Sequence, residues 1–139
     1  MNNELTALLN LEDAIAELPN LVDLDTEHFF SDELYARVLK IPAGTVLTGK
    51  VHKRDHLNFL MAGTIRVMTD EGMKTLVAPK IILSNKGIKR AGFAITDTVW
   101  VTVHHCESTT VDEAEDELVE PSRPHIEMAA TKAQLETPL

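Results

Sequence analysis

Residues 44–63 read GTVLTGKVHKRDHLNFLMAG and contain the pattern that decides the fold. Two short runs of β-forming residues lie between Gly44 and Gly63, and the polar segment that joins them carries His52 and His56. Glycine at both ends of a short strand pair is typical of tight turns, where other residues adopt the backbone angles only with strain. The segment therefore predicts two adjacent strands that bring two imidazoles together near the middle of the chain.

The β-type pattern continues on both sides of this segment, from Leu34 to His105. Short runs rich in Val, Ile, Leu and Thr alternate with turns that contain Gly, Asp or Pro. Regularly spaced short strands of this kind are typical of antiparallel sandwiches and barrels. The sequence predicts eight strands, at residues 34–41, 45–51, 56–61, 64–69, 73–77, 80–84, 88–95 and 98–105.

An amphipathic helix is predicted before the strands. Leu8, Leu11, Ile15 and Leu18 stand at helical spacing, and Pro19 is a natural stop for the helix. Residues 20–33 show no sustained period, so we expect a link without regular structure whose phenylalanines pack onto the core. The N-terminal unit, residues 1–33, thus comprises this helix and link.

The chain becomes acidic and then proline-containing after the last predicted strand. Thr110 or Asp112 could cap a short helix over residues 111–120, whose acidic side chains we expect to be solvated. Residues 121–139 contain too few apolar side chains to form a core of their own. The remaining predicted units are therefore the barrel over residues 34–106 and the acidic helix with its proline-containing arm over residues 107–139.

Composition argues against several classes of function. The chain has 139 residues, of which 44% are hydrophobic, and this suits one domain. Its formal net charge of −9 opposes contact with a polyanion, so we expect no direct nucleic-acid binding. There is neither an apolar run of membrane-spanning length nor a signal-peptide pattern, and we expect no membrane partner and no export. The single cysteine, Cys106, fits a reducing compartment.

The spacing of the glycines and histidines resembles the first sequence motif of the cupin superfamily, whose members form small jelly-roll barrels. Gly44, His52 and Gly63 stand at the intervals of that motif. Lys50 takes the place of its first His, and His56 takes the place of its Glu. The resemblance implies an all-β fold, a cupin-type double-stranded β-helix, with an N-terminal amphipathic helix and a short C-terminal helix plus extended tail outside the barrel.

Other segments extend the resemblance. The second cupin motif aligns with residues 79–94, where Gly87 is retained and Arg90 replaces the motif's His.

Small cupin-like proteins of tailed bacteriophages are similar in three segments. This similarity implies a non-enzymatic, phage-encoded structural or assembly protein, made in the host cytoplasm and able to enter the virion. Such a protein would be a homo-oligomer whose arms contact neighbouring subunits and other virion proteins. The three segments are HKRDH at 52–56, NKGIKR at 85–90 and DTVWVTVH at 97–104.

The cupin resemblance also implies a pocket. In cupins the strand faces that carry the motif point into the barrel, which would gather Lys50, His52 and His56, with Arg90 opposite. Family members commonly bind a divalent metal through three His and one Glu, so a metal site at His52 and His56 is implied, with His104 as a third ligand. On the last predicted strand, however, the alternating valines are the better core candidates, which would place His104 outside the pocket.

Three interpretations of this pocket stay open. A divalent metal could use the imidazoles, although the cations Lys50 and Arg90 would oppose it. The same cations could instead bind a small anionic ligand such as a carboxylate, a phosphate or a sugar acid. The pocket could also be a scaffold that has lost its ligands, and we then expect no cofactor.

The predicted function follows the third interpretation. No Ser-His-Asp or Cys-His arrangement is supported, so we assign no catalytic residue and expect no enzymatic activity. The alternatives are a metal-dependent enzyme such as an isomerase or dioxygenase, a ligand sensor, and a phage inhibitor that binds an anionic host metabolite in the basic pocket.

Overall fold

The computed structural model describes residues 3–18, 21–69, 71–120 and 128–131 of the chain. These residues form two helices and ten strands. The elements are α1 Asn3–Ala16, β1 Asp25–Ser31, β2 Leu34–Ile41, β3 Thr45–Thr48, β4 His56–Ala62, β5 Thr64–Thr69, β6 Gly72–Val77, β7 Lys80–Ser84, β8 Ala91–Ala94, β9 Thr98–His105, α2 Val111–Leu118 and β10 Met128–Thr131. Neither described helix is long and apolar enough to cross a membrane.

The strands form two antiparallel sheets that enclose one apolar core. One sheet has the order β1-β2-β9-β4-β7, and the other has the order β10-β3-β8-β5-β6. Alternate residues of β2, β4 and β5 include the buried ones, as the two-residue period of a strand requires. The all-β barrel predicted from the sequence is therefore confirmed. Its core contains Leu39, Ile41, Leu47, Leu60, Ile65, Val67, Leu76 and Ala94.

Two strands were missed by the sequence reasoning. The expected irregular link is wrong for β1, which pairs with β2 from Asp25↔Lys40 to Ser31↔Leu34. Most β1 side chains are exposed, so no alternation of apolar residues marked it. β10 pairs with β3 and places part of the predicted arm on the barrel of its own chain. In both cases pairing with an existing strand supplies the backbone hydrogen bonds, which composition alone does not reveal.

Helix α1 is fastened to the second sheet by packing and by an ion pair. Leu8 and Ile15 are fully buried, and the helix lies against β3, β5 and β10. Between these two residues on the helix, the Glu12 carboxylate pairs with the ammonium group of Lys89, and both side chains are buried. Lys89 also donates to the carbonyl of Gly49 at 2.6 Å. A buried charge pair is stable only with such additional hydrogen bonds, so this contact fixes where α1 docks.

Helix α2 packs across one end of the barrel. The Thr110 hydroxyl caps its N-terminus by accepting from the amide of Glu113 at 3.3 Å. Ala114 and Leu118 are buried in a small cluster with Tyr35 and Cys106. The apolar face of α2 therefore covers the end of β2 and β9.

Glu117 ties α2 to the segment that follows β9. Its carboxylate accepts from the hydroxyl of Ser108 at 2.6 Å and from the backbone amides of Ser108 and Glu107 at 2.9 and 3.0 Å. It also pairs with Arg54 at 2.9 Å. The hydrogen bonds from Ser108 and Glu107 lower the pKa of Glu117 to about 2.

We expect Glu117→Gln to reduce the free energy of unfolding by about 1 kcal/mol at pH 7, the value of a surface charge-assisted contact. The folded-state pKa lies below the unfolded value, so the carboxylate stabilises the fold above about pH 4.3. That stabilisation is lost as pH falls towards 2, and the variant and the wild type should then converge. Urea unfolding between pH 7 and pH 2.5 measures the difference. A difference that persists at low pH contradicts this account, and Glu113→Gln on the same helix is the control.

Candidate metal centre

Three histidines from separate parts of the chain meet near the end of the barrel. His52 follows β3 and forms an isolated bridge with Val119, His56 begins β4, and His104 lies in β9. The ring centres are 4.3 Å apart for His52 and His56, 4.7 Å for His52 and His104, and 4.2 Å for His56 and His104. One nitrogen from each ring lies within 4.8 Å of the other two. The structure thus brings together all three predicted metal ligands.

The hydrogen bonds of these rings leave nitrogens available to a ligand. His56 Nδ1 donates to the carbonyl oxygen of Arg54 at 3.1 Å, which places the lone pair on Nε2. His52 Nδ1 and His104 Nε2 are 2.7 Å apart and share one proton. His104 Nδ1 is buried and has no hydrogen-bond partner within the described part of the chain. A buried imidazole nitrogen without a hydrogen-bond partner is unfavourable, so packing alone does not account for the position of this ring.

The environment keeps the three imidazoles neutral. Burial, together with the neighbouring His56 and His104, lowers the pKa of His52 to about 2. Burial and His56 lower the pKa of His104 to about 3. Burial also lowers the pKa of His56, although its hydrogen bond to the Arg54 carbonyl acts in the opposite direction. Because a metal ligand must be deprotonated, all three rings are in the binding form at neutral pH.

The donor set fits a divalent transition metal. Zinc, copper, iron and nickel are all bound by neutral imidazoles, and three histidines leave a coordination position for water or a small molecule. The bond from His56 Nδ1 to a carbonyl is the kind of contact that fixes the orientation of metal-ligating histidines. His52, His56 and His104 would hold the ion, which would supply a Lewis acid at the end of the barrel.

The expected orientation of β9 was wrong. The structure turns His104 inward, with 3% of its surface exposed, and Trp100 and Thr102 line the interior on the same face. Val99, Val101 and Val103 therefore occupy the opposite face, which lies outside the barrel. The apolar character of the valines misled the sequence argument because the outer face of this sheet is itself apolar.

Lys50 lines the cavity but also binds α2. Its ammonium group pairs with Glu115 at 2.5 Å. Lys53 donates to the carbonyl of Asp116 at 2.9 Å, and Arg54 pairs with Glu117. The acidic side of α2 is therefore not only a solvated face, as expected, but neutralises the basic loop that carries the histidines. The complementary charges of the two segments were a signal for this contact in the sequence.

Arg90 lines the same cavity as His52 and His56 and belongs to a network of side-chain hydrogen bonds. Its guanidinium donates to the hydroxyl of Ser84, which also accepts from the amide of Asn58. The Asn58 carbonyl oxygen accepts from Trp100 at 3.1 Å and from Thr102 at 2.9 Å. Asn58 was recognisable because it shares the inward face of its strand with His56, but its pairing with Ser84 depends on the register of β4 and β7.

His52, His56 and Arg90 line one cavity inside the barrel. Its volume is about 100 Å³. Arg37, missed by the sequence reasoning although it alternates with Tyr35 and Leu39 on β2, also lines it. The apolar residues that line the cavity are Leu39, Ile41, Leu47, Ile65, Val67, Ile88 and Trp100.

Comparison with solved structures identifies the architecture. The chain resembles ectoine synthase from P. lautus with a TM-score of 0.56 at 14% identity, covering 76% of this chain and 81% of that one. A cupin superfamily protein from Desulfitobacterium hafniense gives a TM-score of 0.52 at 13% identity, with 67% and 86% covered. The chain has the cupin fold. KdgF from Halomonas sp. gives a TM-score of 0.51 at 13% identity, covering 60% and 84%.

The solved structures, rather than sequence relatives, show the cupin fold of this chain. No family model and no curated protein matches the sequence. The likeness to these cupins shows the fold alone, because all three identities are below 15%. The histidine cluster of this cupin barrel therefore has to be interpreted from its own geometry.

Proposed function

We propose that this protein is a cupin that binds a divalent transition metal through His52, His56 and His104 and uses it to hold a small molecule in the barrel. The observation that carries the proposal is the convergence of three neutral imidazoles, of which His56 and His104 are buried and His52 is half-buried, with His52 and His56 lining the cavity. Within the cluster His52 and His104 share one hydrogen bond, and His104 Nδ1 is buried without a partner among the described residues, which is unfavourable for a group that serves packing alone. Charge repulsion from Lys50 is reduced by its pairing with Glu115.

The roles of the surrounding residues follow from their contacts. The carbonyl of Arg54 orients His56, and α2 shields His52 and His104 from solvent on one side. Asn58 and Ser84 orient Arg90 towards the cavity. The apolar walls exclude water from the space beside the metal, which strengthens electrostatic contacts there. These features describe a metal-dependent enzyme or a ligand sensor.

Titration of the metal-free protein with zinc tests the proposal. We expect binding of one ion per chain with a Kd in the micromolar range or below, and with cobalt a visible absorption spectrum typical of a four-coordinate site. Isothermal titration calorimetry measures the affinity and stoichiometry. Absence of zinc binding at millimolar concentration would overturn the proposal.

A second candidate function is assembly through self-association, and an outward sheet face favours it. Leu57 and Leu83 pair across β4 and β7, as do Phe59 and Ile81, and Val103 and Val101 of β9 continue the same two rows. Ile81 and Leu83 are each 66% exposed. Contiguous exposed apolar side chains of this kind often mark a site of protein–protein contact. We name this surface the outer apolar face; it comprises Leu57, Phe59, Met61, Ile81, Leu83, Val99, Val101 and Val103.

A second copy of the chain is the occupant that this face fits. An antiparallel sheet packs well face to face on another sheet of the same kind, and a two-fold axis would cover both patches at once. A stable interface of this type buries about 800 Å² on each partner, which the outer apolar face and its polar rim can supply. A subunit contact of this kind would serve the assembly role predicted from the sequence, whose virion context stays a prediction.

Ile81→Glu should dissociate the assembly. A buried carboxylate at the centre of an apolar interface costs several kcal/mol, so we expect the mass in solution to fall from about twice to once 15.4 kDa. Light scattering coupled to size-exclusion chromatography measures the mass. Met73→Glu is the control, because Met73 is 63% exposed but lies on the other sheet. A monomeric wild-type protein would contradict self-association.

A further inference from the structure

We infer that the cavity binds a short-chain monocarboxylate, with its carboxylate on Arg90 and its hydrocarbon chain against the apolar walls. The inference rests on the proposed function for its place beside the histidines. The contact between the ligand and Arg90, however, does not require a bound metal. The inference limits the ligand of this cavity to monocarboxylates, whereas the sequence alone left carboxylates, phosphates and sugar acids open.

The charge of the cavity indicates an anion. The lining residues include the cations Arg37, Lys50 and Arg90, and none of the lining residues is acidic. Lys50 is neutralised by Glu115 from outside the cavity. Within the described residues, no carboxylate lies at ion-pair distance from Arg90. Glu71 acts on Arg90 only through a longer-range electrostatic interaction. A half-buried guanidinium that no carboxylate contacts directly is costly, and a bound carboxylate would offset that cost.

The geometry of Arg90 indicates a carboxylate held by two hydrogen bonds. A guanidinium has five N–H donors in a planar fork, and in the described structure Arg90 uses the Nη1 group on Ser84. The Ser84 hydroxyl is itself held by Asn58, whose oxygen is fixed by Trp100 and Thr102. Arg90 is therefore oriented before a ligand arrives. The remaining donors match the two oxygens of a carboxylate.

The walls and the volume define the rest of the ligand. Most of the uncharged lining residues are aliphatic or aromatic. An apolar cavity of about 150 Å³ accommodates benzene, so the 100 Å³ of this cavity suits a ligand of roughly four to six non-hydrogen atoms. Inorganic phosphate would satisfy Arg90 but would leave the apolar walls without contacts. A short aliphatic acid satisfies both parts of the cavity.

Butyrate and butanamide are the probes, because they have nearly the same shape and differ in charge. Titration of the isotopically labelled protein, followed by NMR chemical shifts, gives both affinities for the metal-free and the zinc-loaded protein. We expect butyrate to bind at least tenfold more tightly than butanamide in both forms. Arg90→Met should reduce butyrate binding to the level of butanamide, while Arg66→Met, on the exposed face of β5, should leave it unchanged.

The outcomes separate this inference from the proposed function. Butyrate binding that depends on Arg90 in a protein that takes up no zinc supports the inference and overturns the metal site. Equal affinities for butyrate and butanamide in the wild type, or butyrate binding that survives Arg90→Met, overturn the inference whether or not zinc binds. Inorganic phosphate that binds as tightly as butyrate also overturns it. The comparison of probes on the wild type needs no variant to fold.

Discussion

Replacement of His104 by alanine is expected to weaken zinc binding by about 100-fold or more, whereas replacement of the adjacent His105 leaves it unchanged. His104 is buried beside His52 and His56, and its loss removes one of the three nitrogens that can reach a common ion. His105 follows it on the same strand but is exposed and points away from the cluster. The two variants therefore remove the same chemical group from opposite faces of one strand.

The measurement is a competition titration of zinc between the protein and a coloured chelator. Circular dichroism of each variant checks that the barrel has folded. His104→Gln provides a second test, since it retains a polar side chain of similar size but offers no imidazole nitrogen. Equal zinc affinities of the wild type and both His104 variants would show that His104 is not a ligand.

Gly63→Ala is expected to lower the free energy of unfolding by more than about 4 kcal/mol, a loss reserved for severe local defects. Gly63 has a φ of +89°, a backbone conformation that residues with a side chain rarely adopt. A Cβ atom at this position would lie 2.2 Å from the carbonyl oxygen of Asp97 and 2.9 Å from the Cα of Thr98. Backbone atoms cannot move aside as a flexible side chain can, so the turn between β4 and β5 would have to separate from the start of β9.

Gly44→Ala is the matched control. Gly44 has a similar φ of +83°, but a Cβ there would meet nothing within 4 Å. Its replacement should therefore cost only the roughly 1–2 kcal/mol of the unfavourable backbone angle. Denaturant unfolding of the two variants separates the effect of the angle from that of the contact. Equal losses at the two positions would show that the contact with β9 contributes nothing.

The glycine spacing illustrates why the fold could be predicted. Gly44 and Gly63 bound the strand pair because both adopt positive φ, and that requirement is local. The alternation of apolar residues within each run is also local, and it placed all eight predicted strands close to their observed positions. The helices were predicted for the same reason, since Leu8 and Ile15, and the cap at Thr110, act within one element.

The parts that were missed depend on partners distant in the sequence. β1 and β10 have little apolar alternation, and each is a strand because a neighbouring strand satisfies its backbone. Lys50 was assigned to a ligand pocket from the sequence, but in the structure its ammonium group also pairs with Glu115 of α2. The two residues are far apart in the chain, so only the folded structure reveals this pair. The direct pairing of Arg90 with Ser84, and of Ser84 with Asn58, needs the register of the folded sheet.

By itself the sequence determined the barrel, its turns and the placement of His52 and His56 next to each other. These features follow from backbone angles and from the two-residue period of a strand, which each short segment specifies alone. Only the tertiary structure decided that His104 faces the interior. Both faces of β9 can be buried or apolar, and the choice depends on which side the second sheet covers. The metal centre became visible at that step, because its third imidazole comes from this strand.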